Sequence, residues 1–438
     1  MNVLVYIRPA TKKYYMNLVK RAYPDAKMVT LSDFKHISDF WVGDLIYKKN
    51  INDKLFSDIE LYDIRIRCRF LRSVKEKVAN DLINNLAFGL DEYFSSYFID
   101  IVLGGLIDNY SQDILERISK KHNVPYISFV GHFFNDYCRI SVRGELCKLP
   151  RYISKEEVDG VLAQVLAESY KPTFKLNKPK TRNYMYYSFS RALFKKYVYF
   201  PIRKFIEGDP LNYHYNTVLP ESWSYSSVMK KDINNYFTRI NTLPEKIFTN
   251  SIYIPLHFSP EATVDYWADD PDLVFQDDAI IKLVTDAPPN LNLLIKEHPG
   301  MYLRRRFDFY EKLKHLSNVI LIHPYESSNT LLNRVENVLV ITGSVGVEAL
   351  LRKKRVLSLS KNYYSNLHPN IFIVKKITEA ALALPLQPHP NELFIYNLLQ
   401  GLFKAKFYNN KSINNSDLDS MASCFSEYVE YINERNYC

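Results

Sequence analysis

Four runs follow one another between Leu291 and Leu359: Leu291-Asn-Leu-Leu-Ile-Lys-Glu-His-Pro299, Val319-Ile-Leu-Ile-His-Pro-Tyr-Glu-Ser-Ser328, Val338-Leu-Val-Ile-Thr-Gly-Ser-Val-Gly-Val-Glu-Ala-Leu-Leu351 and Val356-Leu-Ser-Leu359. Each opens on a short apolar stretch, turns polar, and leads into a helix-like segment. That pattern predicts consecutive βα units in a parallel sheet buried on both faces. Ligands of such sheets sit beyond the carboxyl ends of the strands, where Lys296-Glu297-His298-Pro299 and Thr342-Gly343-Ser344 fall.

Outward from this stretch, a second set of strand-like runs occupies the first part of the chain: Val3 to Ile7, Met28 to Leu31, Asp100 to Gly104 and Pro125 to Val130. No G-x-G-x-x-G follows the first of them, which argues against a dinucleotide cofactor there. Asp63 to Leu90 is expected to form one long helix; its Arg65, Arg67, Arg69 and Arg72 cannot share a face, so solvated or salt-bridged surface is the expectation for them. The unit around Leu291 begins at Ile252 to Leu256 and runs on into His257 and Glu261. Helices are expected over Ser111 to Lys121, Asp277 to Ala287, Glu392 to Lys404 and Ser416 to Arg435.

The 438 residues suit two domains, and 47% hydrophobic with 24% charged residues suits packed globular structure. The net charge of +9 favours anionic partners. Cys68, Cys138, Cys147, Cys424 and Cys438 are odd in number and contain no C-x-x-C, against a disulfide framework or a zinc site. No apolar run could span a bilayer or serve as a signal-peptide core, so a cytoplasmic location is expected. Residues 171–207 hold ten Lys or Arg (171, 175, 178, 180, 182, 191, 195, 196, 203, 204) against the single acid Glu207, interleaved with aromatic residues. Two readings compete there: a basic aromatic surface for an anionic acceptor or for the inner face of the plasma membrane, and a solvated helical excursion.

Several side chains carry candidate chemistry. The Thr342-Gly343-Ser344 turn and Gly346 open a helix whose first amides can hold a phosphate, with Glu348 one turn further in, near ribose hydroxyls. His298 can donate to a leaving phosphate oxygen and Lys296 adds positive charge; His257 and Glu261 lie at a matching strand end. Asp108 and Asp136 follow strands of the first half, where a helix-cap or turn role competes with a catalytic one. His323-Pro324 repeats the His-Pro dipeptide but reads as structural, and Asp270-Pro-Asp272 reads as surface.

Three of these runs resemble the bacterial capsule polysaccharide biosynthesis glycosyltransferases, a family that includes β-Kdo transferases: Pro255-Leu-His-Phe-Ser-Pro-Glu-Ala-Thr263, Leu294-Ile-Lys-Glu-His-Pro299, and Thr342-Gly-Ser-Val-Gly-Val-Glu-Ala-Leu350 with Val356. Weaker echoes are Ile64 to Arg72 and Val142-Arg-Gly-Glu145. The resemblance covers about residues 250 to 365 and is thin elsewhere. It implies a GT-B-like α/β fold, two Rossmann-like domains facing a cleft with a C-terminal helix packing back. Residues 1–245 would form the acceptor domain, with an excursion over 171–240, residues 246–390 the nucleotide-sugar domain, and residues 391–438 the C-terminal helices.

By the same resemblance the chain would transfer Kdo or a related acidic sugar from a CMP-activated donor to a glycan or glycolipid of capsule or lipopolysaccharide. Lys296, Glu297, His298, Pro299, Thr342, Gly343, Ser344, Gly346, Glu348 and His257 would form the donor site, with no cofactor and no metal. Asp108, Asp136 and Glu261 are the candidate catalytic carboxylates, acting as base or nucleophile. The alternatives are a UDP-sugar transferase or epimerase of the same fold, and a non-catalytic basic glycan-binding protein; a nucleic-acid partner is not expected.

Overall fold

A computed structural model describes residues 1–47, 54–172, 180–407 and 413–436. Lys175, Lys178 and Cys438, named above, lie outside the described residues.

The first domain is a five-stranded sheet of β1 (Asn2–Tyr6), β2 (Lys27–Ser32), β3 (Phe40–Trp41), β4 (Ile101–Leu103) and β5 (Tyr126–Ile127) in the order β3-β2-β1-β4-β5, every pair parallel. Central β1 is apolar and buried from Val3 to Tyr6, as a strand covered by helices on both faces must be. The chain then makes an antiparallel hairpin, β6 (Phe129–Gly131) and β7 (Tyr137–Ile140).

The second domain is a six-stranded sheet of β8 (Ser251–Pro255), β9 (Asn292–Lys296), β10 (Val319–Ile322), β11 (Asn337–Val340), β12 (Arg355–Ser358) and β13 (Ile371–Ile373). Its order is β10-β9-β8-β11-β12-β13, again parallel throughout. The strand order reverses between β8 and β11, and between β1 and β4 in the first domain. These are the two switch points beyond which ligand crevices open. Two such domains meeting at their strand ends make a GT-B-like architecture.

The end of the chain returns to the first domain. Strand β14 (Phe403–Lys404) pairs antiparallel with β7, and the helix Asn415–Asn436 buries Met421 and Phe425 in one cluster with Tyr14, Leu18 and Val19 of the helix Lys12–Ala22. Tyr14 also donates its hydroxyl to the Met421 sulfur at 2.9 Å.

The expected long helix from Asp63 is three helices instead: Asp58–Arg67, Arg69–Ser73 and Glu76–Ser96. Ser57 starts the first with a reciprocal capping box to Glu60, and Cys68 ends it in an extended conformation. That break lets neighbouring arginines turn the same way. Arg67 donates to the carbonyls of Asp265 and Ala268 at 3.0 and 2.9 Å, and Arg69 pairs with Asp265 at 2.8 Å, both across the domain boundary. Arg65 pairs with Glu76.

Within the excursion, Arg182–Phe194, a π-helical turn Lys195–Tyr199, and Phe200–Glu207 follow without interruption. Met185 and Phe189 anchor it in the same cluster as Ile252 and Ile254 of the second sheet, whereas Tyr213, further along the same excursion, packs with the first domain. The segment therefore spans both domains. Among the described residues no helix is long and apolar enough to cross a membrane.

Candidate functional site

The β8 and β9 ends carry the two histidines. His257 follows β8, and its Nε2 accepts the Thr342 amide N–H at 3.4 Å across the switch point. His298 follows β9, and its Nδ1 accepts the Gly300 N–H at 3.0 Å. Burial lowers both pKa values, to about 4 for His257, helped by Arg305, and to about 3 for His298, where Lys296 is the next cause. Both rings are neutral at physiological pH. With Nδ1 of His298 occupied as an acceptor, the single ring proton sits on Nε2. His298 is thereby set up to donate from Nε2, and Pro299 starts a short 3₁₀ turn that holds its backbone.

Both histidine loops hang on one residue the sequence reading did not single out. Arg305 is completely buried. It donates from Nε to Glu297 at 2.6 Å and from Nη2 to the His257 carbonyl at 3.0 Å and to Gln276 at 3.0 Å, and it pairs with Asp277. Glu297, expected at the donor, turns inward instead. It accepts from Arg305, from the Tyr310 hydroxyl at 2.7 Å and from the His298 amide at 2.6 Å, which fixes the loop without facing the cleft.

After β11, Thr342 gives its hydroxyl to the Thr263 carbonyl at 2.9 Å, and the Gly343 carbonyl accepts from Tyr364 at 2.8 Å. A Cβ on Gly343 would stand 3.2 Å from the His257 ring. Ser344 opens the short helix Val345–Leu351 without capping it through its side chain, so the hydroxyl is not committed to the helix. Gly346 has a packing role where ligand approach was expected. It is buried, and a Cβ there would lie 2.2 Å from the Tyr364 hydroxyl. Glu348 lies in the same helix, but it is not among the residues lining the cleft cavity, and Lys296 is buried at the end of β9.

The two histidines and the Thr342–Ser344 turn face a cavity of about 370 Å³ between the domains, lined from the second domain by His257, Phe258, Glu261, Trp267, His298, the turn Thr342 to Val345 and Tyr363, and from the first by Leu106, Val130 to Phe133 and Arg139. Of the three candidate carboxylates only Glu261 lines it. Burial raises the Glu261 pKa, with Asp265 adding to the shift, while Thr263 and Arg69 oppose it.

Asp108 sits at the other switch point and is held in a two-pronged ion pair by Arg8, one contact at 2.8 Å. Burial alone would raise its pKa, but Arg8 brings it below the usual carboxylate range. It is a paired anion, and it does not line this cavity. Asp136 occupies the tip of the β6–β7 hairpin with a φ of 68°, and its carboxylate, more than half exposed, lies 3.6 Å from Lys406. The turn role prevails there. Asp270 is likewise exposed and caps the Asp272 amide at 2.9 Å.

Four further groups lie near the cleft. His132 is buried, with Nδ1 accepting the Phe134 N–H at 3.1 Å and Nε2 without a partner. Arg139, on β7, is 2% exposed, and its Nε and Nη1 have no hydrogen-bond partner. Lys180 donates to the Gly300 carbonyl at 3.0 Å beside His298, and burial, with Arg304, brings its pKa down to about 8. Arg304 stacks on Trp223 at 4.1 Å. His132 was findable, as a histidine directly after a strand like His298, and Lys180 belongs to the basic run of residues 171–207; Arg139 and Arg304 carried no sequence signal.

Fold and site together define a two-domain α/β protein of GT-B type with a histidine-bearing crevice at the switch point of the second domain. Residues 261–367 match the family model described as capsule polysaccharide biosynthesis protein, which bears out the resemblance over that segment. No curated protein sequence matches the chain. Among solved structures it is similar to Thermosulfurimonas dismutans KpsC, beta Kdo 2,7 transferase, with 11% identity over 98% of each chain and a TM-score of 0.38. It is also similar to T. dismutans KpsC, beta Kdo 2,4 transferase, with 11% identity over 96% of this chain and 98% of that one and a TM-score of 0.39. A UDP-GlcNAc 2-epimerase from Neisseria meningitidis bound to UDP-GlcNAc gives 13% identity over 99% and 100% of the two chains and a TM-score of 0.24.

Proposed function

We propose that this chain is a glycosyltransferase of surface polysaccharide synthesis that moves Kdo or a related acidic sugar from a CMP-activated donor to a glycan or glycolipid acceptor. The observation that carries the reading is the shared cavity: a neutral His298 with its proton on Nε2, the uncommitted Ser344 hydroxyl and the raised-pKa Glu261 all face it, opposite first-domain residues. The family match over residues 261–367 supports the capsule pathway.

In this reading the donor phosphate lies between His298 and the Thr342–Ser344 turn, with Lys296 and Lys180 supplying positive potential. Glu261 takes the proton of the acceptor hydroxyl as its oxygen bonds to the anomeric carbon. The bond from that carbon to the phosphate oxygen breaks, and the departing oxygen receives the hydrogen bond of His298 Nε2. These protein groups meet the leaving charge, and no metal is invoked. Incubation with CMP-Kdo, CMP-sialic acid and UDP-GlcNAc, with and without glycan acceptor, tests the reading through release of free CMP or UDP. Acceptor-dependent CMP release is expected. Epimerisation of UDP-GlcNAc without acceptor would replace this reading with the isomerase one.

A second reading concerns the excursion. Tyr187, Phe194, Tyr197, Ile202, Phe205 and Ile206 are exposed, between 52% and 89%, among Arg191, Lys195, Lys196, Arg203 and Lys204. Apolar side chains amid cations suit the surface of an anionic leaflet, which would bring the cleft to a lipid-linked acceptor at the inner face of the plasma membrane.

A further inference from the structure

Arg139 is the anomaly of the cleft. It projects from first-domain strand β7, yet its guanidinium lies on two second-domain rings, 4.0 Å from the centre of Tyr363 and 5.0 Å from that of Trp267. No ion pair among the described residues includes it, and Nε and Nη1 are buried without partners. A buried guanidinium with open donors is costly unless an anion meets it.

The nearest groups do not supply that anion. Glu145 spends its carboxylate on the Val142 and Arg143 amides at 2.6 and 2.7 Å. His132, whose ring lies 5.5 Å from that of Tyr363, is neutral because burial and then Arg139 lower its pKa well below the ordinary value. With Nδ1 filled by the Phe134 amide, its proton is on Nε2, a second open donor in the same wall. Both residues line the cavity that holds His298 and Ser344.

We infer that Arg139 and His132 form an anion subsite for the carboxylate of the sugar, separate from the groups that take the donor phosphate. The planar guanidinium, packed against two aromatic rings, offers a two-pronged edge from Nη2 together with either Nε or Nη1, which matches the two oxygens of a carboxylate. The phosphate-directed donors, His298 Nε2 and the Ser344 hydroxyl, belong to the opposite wall. The subsite rests on the donor-site reading for its sugar, and it explains why an acidic sugar in particular would fill this cleft: a neutral hexose would leave the guanidinium unpaired.

The test measures binding of Kdo, of its methyl ester and of CMP to the full chain by isothermal titration, for wild type, Arg139→Met and Arg139→Lys, with circular dichroism as the folding control. The acid should bind wild type at least about tenfold tighter than the ester, as a charge-assisted two-pronged contact requires. Arg139→Met should abolish that preference and Arg139→Lys should keep part of it, with CMP affinity changed little in both. Equal binding of acid and ester to wild type, or an unchanged preference in a folded Arg139→Met, overturns the subsite. Loss of CMP binding in both variants overturns it as well, by placing the guanidinium on the phosphate. If wild type prefers the acid but binds no nucleotide, the subsite stands and the donor-site reading falls.

Discussion

Arg305 and Glu297 form a completely buried ion pair, 2.6 Å from Nε to the carboxylate, and the two residues between them hold the histidine loops in place. Arg305 takes the His257 carbonyl, and Glu297 takes the His298 amide. The geometry of the wall that carries both histidines thus depends on a charge pair that does not line the cavity.

Arg305→Met should destabilise the fold by about 3–5 kcal/mol, since it leaves Glu297 as an uncompensated buried charge and strips the partly exposed Asp277 of its partner. Urea unfolding measures this. A loss below about 1 kcal/mol would mean that water or rearrangement satisfies the two carboxylates.

Gly346→Ala is expected to cost about 1–3 kcal/mol by overpacking. The new Cβ meets a Tyr364 hydroxyl that is itself tied to the Gly343 carbonyl. Combining it with Tyr364→Phe should cost less than the sum of the two single changes, because the clashing oxygen is gone. Strict additivity would disprove the contact.

The histidines set a pH signature. The folded pKa of His298 is about 3, below its ordinary 6.5, so the unfolded chain takes up a proton that the folded chain refuses. Its contribution to stability is therefore present above about 6.5 and is lost as pH falls toward 3. His298→Asn should flatten the decline of unfolding free energy between about pH 6 and pH 4 by about 1 kcal/mol per pH unit. Urea melts at several pH values, wild type against variant, give that difference directly; parallel curves would mean that the folded ring titrates normally.

Glu261→Gln should lower kcat by roughly 10²–10⁴-fold while CMP affinity changes by less than about threefold. Because burial raises the Glu261 pKa, and a base acts when ionised, the acid limb of the wild-type rate profile should lie above the ordinary glutamate range. Unaltered turnover in the Gln variant would remove Glu261 from the mechanism.

Replacing Ile202, Phe205 and Ile206 together by serine should reduce cosedimentation with phosphatidylglycerol vesicles by at least about tenfold, given ~1.5–3 kcal/mol for each apolar side chain buried. Folding should be unaffected, since these side chains are 52% to 89% exposed. Binding that persists in the triple variant would assign the aromatic face another role.

The second sheet was legible because its strands are short, apolar and buried on both faces: β9, β10, β11 and β12 fall where the four quoted runs place them. Periodicity failed at Cys68, where the helix breaks so that Arg67 and Arg69 can both reach the second domain, a tertiary demand invisible to local pattern. The site was legible on the side built from contiguous strand ends, at His257, His298 and Ser344. It was illegible where chemistry depends on what lies opposite. Glu297 was expected to face a ligand because nothing in its neighbourhood of sequence announces Arg305, and Arg139 looks like one more strand residue until two rings from the other domain close over it.

The return of the chain to its beginning bears on how the protein is made. The core around Tyr14, Leu18 and Val19 is completed by Phe403, Met421 and Phe425, so this face of the first sheet closes only when residues beyond 400 have been synthesised, whereas its other face needs none of them. The sheet from β8 to β13 has all its strands well before that. That one face of the first domain is therefore completed only after every strand of the second sheet has been made.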